Sequence, residues 1–167
     1  MVRIRESIRI QISVPEQHLY LLEQGKEIAD YAVSTASKGT GELYGSGCTP
    51  RGLHRIRIKV GTGAPLGTVF VGRRPTGEIY GPALASQYPQ RDWILTRILW
   101  LSGLEPGRNR FGDRDTLRRY IYIHGCPDEL PMGVPLSHGC IRMGNQAVME
   151  LFERVAIGDK VFIDDAR

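Results

Sequence analysis

"IRIQISVPEQHLYLLEQGKEIADYAVST", Ile8 to Thr35, decides the fold of this chain. Ile8, Ile10, Ile12 and Val14 alternate with polar residues, the two-residue period of a strand with one buried face. "HLYLLEQGKEIADYAVST" then reads as two strands around a turn at Gln24-Gly25-Lys26. Strand follows strand with no helical period between them.

The rest of the chain repeats this logic. "GLHRIRIKVG" places Ile56, Ile58 and Val60 inward and Arg55, Arg57 and Lys59 outward, while "GTVFVG" and "GEIYG" are further short strands. "RDWILTRILWLSGLEPG" is a dense apolar run, assigned to a strand. "RRYIYIHG" is β-rich, and its end delivers His124 to an edge of the sheet. Only Val148, Leu151, Phe152 and Val155 keep a helical period, behind an N-cap at Asn145; "KVFI" closes the chain as a strand. The expected architecture is mainly β: a curved β-sandwich or open barrel of mixed strands, with one main helix. No repeat, low-complexity tract or linker divides it, so a single domain over residues 1–167 is expected.

Composition agrees with an ordinary globular chain, at 41% hydrophobic and 24% charged residues. The net charge of +4 comes from 18 Arg and only 4 Lys, spread from Arg3 to Arg167. Nucleic-acid binding would gather that charge on one element with aromatics between, so no nucleic-acid partner is expected. A guanidinium fork does grip carboxylates at two points, which suits an anionic substrate. "MVRIRESIRIQISV" has no continuous apolar run and is not a secretory signal, and no segment reaches transmembrane length. Taken as written, the chain is expected in the cytoplasm; a chain trimmed of a leader would belong to the periplasm or envelope. The sequence leaves the oligomeric state unknown.

The chemistry concentrates in "YIYIHGCPDELPMGVPLSHGCIRMGN", Tyr120 to Asn145, which holds two of the four histidines and two of the three cysteines. Three readings compete. His124 with Cys126 and His138 with Cys140 have the spacing of zinc ligand pairs, but the residues between are rich in Pro and Gly, unlike a zinc knuckle. A Cys126–Cys140 disulfide would staple the loop, yet three cysteines leave one unpaired and reducing conditions oppose it. A nucleophile needs a base, a group to orient that base, and oxyanion donors. Cys140 follows Ser137-His138-Gly139, where glycine allows a sharp turn, and either His124 or His138 can serve as base. His18 and His54 have no such context and read as surface or strand residues.

"IHG" followed, sixteen residues after its His, by the Cys of "SHGCIRM" resembles the L,D-transpeptidase catalytic domain, also called the YkuD domain. The opening strands, "CTPRGLHRI", and the closing helix with "GDKVFI" look like that domain too, so the resemblance covers nearly the whole chain. It implies Cys140 as nucleophile and His124 as general base, its ring oriented by the Gly125 carbonyl. It implies an oxyanion hole from the N–H groups of Gly139 and Cys140, and a pocket shaped by Ser137, His138 and Arg142. His124 ranks above His138 as base on this ground. One departure stands out: the family usually has Thr or Ser after His-Gly, and this chain has Cys126.

The activity implied is acyl transfer on peptidoglycan stem peptides or muropeptides, at the bond between a diamino acid and terminal D-alanine. Cys140 would form a thioester, with no metal or organic cofactor, and an imidazolium nearby would lower its thiol pKa. Water as acceptor gives L,D-carboxypeptidase activity, favoured here as muropeptide recycling because no export signal is seen. A second stem as acceptor gives 3–3 cross-links, the alternative. A zinc protein or a non-catalytic binding module are remoter readings.

Overall fold

Ile10 and Ile12 are fully buried, while Arg9 before them faces solvent and Gln11 between them is half-buried, as the period predicts. They lie on β1 (Ile8–Ser13), which pairs antiparallel with β2 (His18–Glu23), and β2 pairs with β3 (Lys26–Ser34). The computed structural model describes residues 7–166. The charged start of the chain, with Arg3, and the final Arg167 lie outside the described residues.

Seven further strands follow: β4 (Gly52–Val60), β5 (Thr68–Val71), β6 (Arg74–Ile79), β7 (Ile94–Gly103), β8 (Tyr122–Gly125), β9 (Ile141–Met143) and β10 (Lys160–Asp164). A short helix α1 (Pro82–Gln87), which the sequence pattern did not signal, precedes β7, and the main helix α2 (Asn145–Arg154) precedes β10. The strands are hydrogen-bonded in the order β4-β10-β1-β2-β3-β9-β8-β7, and β4 also pairs with β7. Eight strands therefore close into a barrel, which removes the edges an open sheet would expose. Pairings β1–β10 and β8–β9 are parallel, so the expected mixed, mainly β fold is present and its ring is closed. The β5–β6 hairpin hangs outside the ring, held by Val69 and Phe70 against Leu95 and Ile94.

Inside the ring, Leu19, Leu21, Ile56, Leu99, Leu101, Ile123 and Ile141 share one core with Val148, Leu151 and Phe152 of α2. The helix thus buries its apolar stripe on the barrel interior. The dense run of β7 is a strand buried on both faces. Leu99 and Leu101 enter this core while Ile98 joins a second cluster with Phe70 and Tyr122. That two-sided burial removes the alternation a half-exposed strand would show.

Three local expectations need correcting. In β4 the register shifts between Ile56 and Ile58, so Ile56 is buried and Ile58 turns to solvent. Lys59 does not point into open solvent either: its ammonium donates to the carbonyls of Phe152 (2.6 Å) and Val155 (2.7 Å), satisfying the C-terminal end of α2. Strand β8 is no edge, since β7 and β9 flank it on either side.

Candidate active site at Cys140 and His124

The parallel register of β8 and β9 sets Ile123 beside Ile141 and His124 beside Arg142. Strand side chains alternate between faces, so Ile121, Ile123, Ile141 and Met143 fill the barrel core. The intervening set of Tyr122, His124, Cys140 and Arg142 faces a cavity of about 290 Å³ on the other side. The alternation that makes the core also assembles the site.

His124 is only 2% exposed. Its Nδ1 lies 2.6 Å from the Gly125 carbonyl, and a carbonyl oxygen can only accept. Nδ1 therefore carries the proton, and in the neutral ring Nε2 keeps the free lone pair that a base needs. Burial pulls the imidazolium pKa below its ordinary value, which favours the neutral ring. Gly125 has to be glycine: a Cβ there would sit 2.5 Å from the Leu95 carbonyl and 2.6 Å from Asn145 Oδ1.

Asn145 was expected as the N-cap of α2, but Gly144 holds that place and makes no side-chain cap. Asn145 is a buried tie instead. Its amide donates to the Cys126 carbonyl (2.8 Å) and Asp128 Oδ1 (3.1 Å), and its oxygen accepts from Thr96 Oγ1 (2.5 Å). The loop after His124 is thereby fastened to both α2 and β7.

Cys140 is half-buried on the cavity wall. Its thiol donates to the Tyr120 carbonyl (3.3 Å) and accepts from the Tyr122 N–H (3.3 Å). Desolvation pushes the thiol up to about 12, against which the Tyr122 N–H pulls down. This runs opposite to the expectation of a thiol lowered by a neighbouring imidazolium: burial disfavours the charged form of both partners.

The turn before Cys140 is braced on both sides. Ser137 Oγ donates to the Cys140 carbonyl (2.6 Å) and accepts from the Gly139 N–H (3.2 Å). The Gly139 N–H, expected as an oxyanion donor, thus has Ser137 as its resting partner. Gly139 adopts a φ of +133°, where a side chain would be strained, and Thr49 Oγ1 holds its carbonyl at 2.9 Å. His138 is exposed and lies 3.4 Å from Asp92, which also pairs with Arg142 at 3.2 Å.

Every residue expected at the site from the sequence is therefore in one neighbourhood. Sequence reasoning missed Asp92, Arg73 and Arg119, which line the same cavity. Arg119 shares the parity of Ile121 and Ile123, so strand alternation does not place it on the His124 face, and it lies in the turn before β8; Asp92 and Arg73 carry no local signal either. Arg119 donates to the carbonyls of Gly41 (3.2 Å) and Cys48 (2.6 Å) and to Ser46 Oγ (3.3 Å), fixing the 41–48 segment beside the Cys140 turn.

Among the described residues the three cysteines are unpaired, and no three His, Cys, Asp or Glu residues are grouped to hold a metal ion. Cys126 is buried, its thiol pushed up to about 11 by desolvation and set 3.4 Å from the Met143 carbonyl. His54, read as a surface or strand residue, is a strand residue that is completely buried; its Nδ1 faces the Gly52 carbonyl at 2.9 Å and its Nε2 meets Thr116 Oγ1 at 3.0 Å. No described helix is long and apolar enough to cross a membrane.

Fold and site together define a closed mixed β-barrel with a thiol and an imidazole presented at one cleft by adjacent parallel strands. The chain belongs to the YkuD family, the L,D-transpeptidase catalytic domain, whose family model matches residues 7–163. A 48-residue segment is 42% identical to the "Probable L,D-transpeptidase YbiS" of Escherichia coli (strain K12), covering 28% of this chain and 16% of that protein. An L,D-transpeptidase from Mycobacterium smegmatis shares the fold at a TM-score of 0.57 and 16% identity, over 95% of this chain and 59% of that one. L,D-transpeptidase 3 from Mycobacterium tuberculosis, solved with a faropenem-derived adduct, does so at 0.58 and 17%, over 96% and 61%. This chain spans less than two thirds of each of these relatives.

Proposed function

We propose that this chain is a cysteine acyl-transfer enzyme acting on peptidoglycan stem tetrapeptides at the bond between the diamino acid and D-alanine. The observation that carries this reading is the cavity shared by Cys140 and His124, with the ring of His124 locked so that Nε2 is its basic atom. As substrate enters, the thiol proton turns from the Tyr120 carbonyl to His124 Nε2. Sulfur then attacks the carbonyl carbon, and the oxyanion takes the N–H groups of Gly139 and Cys140, displacing the weak 3.2 Å bond to Ser137. The C–N bond breaks, His124 returns its proton to the leaving amine, and a Cys140 thioester remains. Ser137 holds the turn, while His138 and Arg142, joined through Asp92, shape the wall of the pocket.

The thioester has two fates. A specific observation favours an amine acceptor. Asp92, His138 and Arg142 also line a second cleft toward Tyr80 and Trp93, while Arg119, Tyr120 and His138 line a third toward Tyr44. Both clefts adjoin the Cys140 cavity through these shared wall residues, which gives room for a donor and an acceptor stem, and an oriented amine gains an effective molarity of ~10⁵ M or more over free solution. We therefore place 3–3 cross-linking first and hydrolysis to tripeptide, in the cytoplasm or elsewhere, second. Incubation with purified tetrapeptide muropeptide and mass analysis of the products separates them: dimer is expected at high substrate concentration, and tripeptide alone would reverse the order.

A further inference from the structure

Three arginines line the Cys140 cavity, and their surroundings differ. Arg142 is neutralised by Asp92 and donates also to the Leu136 carbonyl. Arg119 spends its fork on Gly41, Ser46 and Cys48. Arg73 has no carboxylate partner among the described residues. It donates to the Tyr122 hydroxyl at 3.3 Å, and its guanidinium lies 4.7 Å from the Tyr120 ring centre and 5.2 Å from that of Trp100.

Its backbone is unusual as well. Gly72 and Arg73 form the two-residue turn between β5 and β6, with φ of +57° and +63°. Such turns suit Gly, Asn or Asp at both places, and an arginine there is held against preference. The residues that hold it are those that hold the nucleophile. Tyr120 and Tyr122 grip the Cys140 sulfur through their backbone and cage the Arg73 guanidinium with their side chains. An anion on Arg73 therefore sits at a fixed offset from Sγ, beside aromatic faces that lower the local dielectric.

We propose that Arg73 is a specificity-determining residue that reads the free carboxylate at the end of the donor peptide, confining the site to the last peptide bond. The inference rests on the functional reading above. In that reading the leaving residue carries its carboxylate one carbon beyond the scissile nitrogen, so a two-point grip on the carboxylate places the scissile carbonyl at the thiol.

The test compares kcat/KM for tetrapeptide muropeptide with that for the same peptide ending in a carboxamide, using the wild-type chain, Arg73→Gln and Arg73→Lys. The wild type should favour the free acid by about 10- to 100-fold, the worth of a hydrogen-bonded charge. Arg73→Gln should bring that ratio close to one, with most of the loss in KM, and Arg73→Lys should fall between. The ratio is taken within each variant, so a general loss of active protein cancels, and the Lys variant supplies the answer where the Gln variant does not fold. Equal use of both peptides by the wild type, or an unchanged ratio in the folded variants, overturns the role of Arg73 and leaves the acyl-transfer reading intact. No turnover of the free acid and no Cys140 thioester by intact mass overturns both.

Discussion

Cys140 rests as a neutral thiol, and that has a consequence for its reactivity. With the thiol pushed up to about 12, alkylation by iodoacetamide should climb roughly tenfold per pH unit from 7 to 9. A plateau at neutral pH would reveal a preformed thiolate and sink the neutral-pair account. Cys140→Ala should abolish turnover in the same preparation, and Cys140→Ser should leave a trace at most, because a hydroxyl is harder still to deprotonate. The two histidines should separate in acylation assays. His124→Ala removes the buried, oriented base and should cost ~10²–10⁴-fold, while His138→Ala should cost less. A larger loss at His138 would reverse the assignment. Both histidines and the cysteine were visible in the sequence because SHGC and IHG are compact. The charge state was not, since it depends on desolvation by residues from several strands.

At the scale of elements, Asn145 shows where local pattern misleads. An Asn ahead of an apolar helical stripe is a good N-cap by rule. The tertiary fold gives its side chain three other partners, on β7 and on the loop after His124. Asn145→Ala should therefore cost ~1–3 kcal/mol in urea unfolding, the penalty of stranding buried polar partners, and should lower turnover by loosening Gly125. A loss of stability confined to the fraying of α2, with turnover intact, would return Asn145 to the role of a cap. The strands β1 to β3 and the helix were legible because their apolar periods are local, and the long β7 because its apolar run is dense. The bulge that turns Ile58 outward was not, since it follows from pairing with β7.

At the scale of the molecule, His54 sits on the seam that closes the barrel, opposite Gly103 of β7 and Val161 of β10. Burial lowers its pKa from 6.5 to about 4, so the unfolded chain takes up the proton first as pH falls. Its contribution is complete above pH 6.5 and is lost progressively down to about pH 4, amounting to ~3 kcal/mol. Urea midpoints of the wild type should fall across that window more steeply than those of His54→Gln. Identical slopes would remove His54 from the account.

The sequence alone settled that the chain is mainly β with one main helix, and it singled out His124 to Cys140 as the candidate site. Those properties are written in short-range periods and in two adjacent motifs. Tertiary structure alone decided that β4 meets β7 to close the ring, and that Asp92, Arg73 and Arg119 come to the thiol. It also decided that burial disfavours the charged form of both the thiol and the imidazole. Each depends on contacts between segments far apart in the chain, where pairing register and burial, not local preference, fix position and charge.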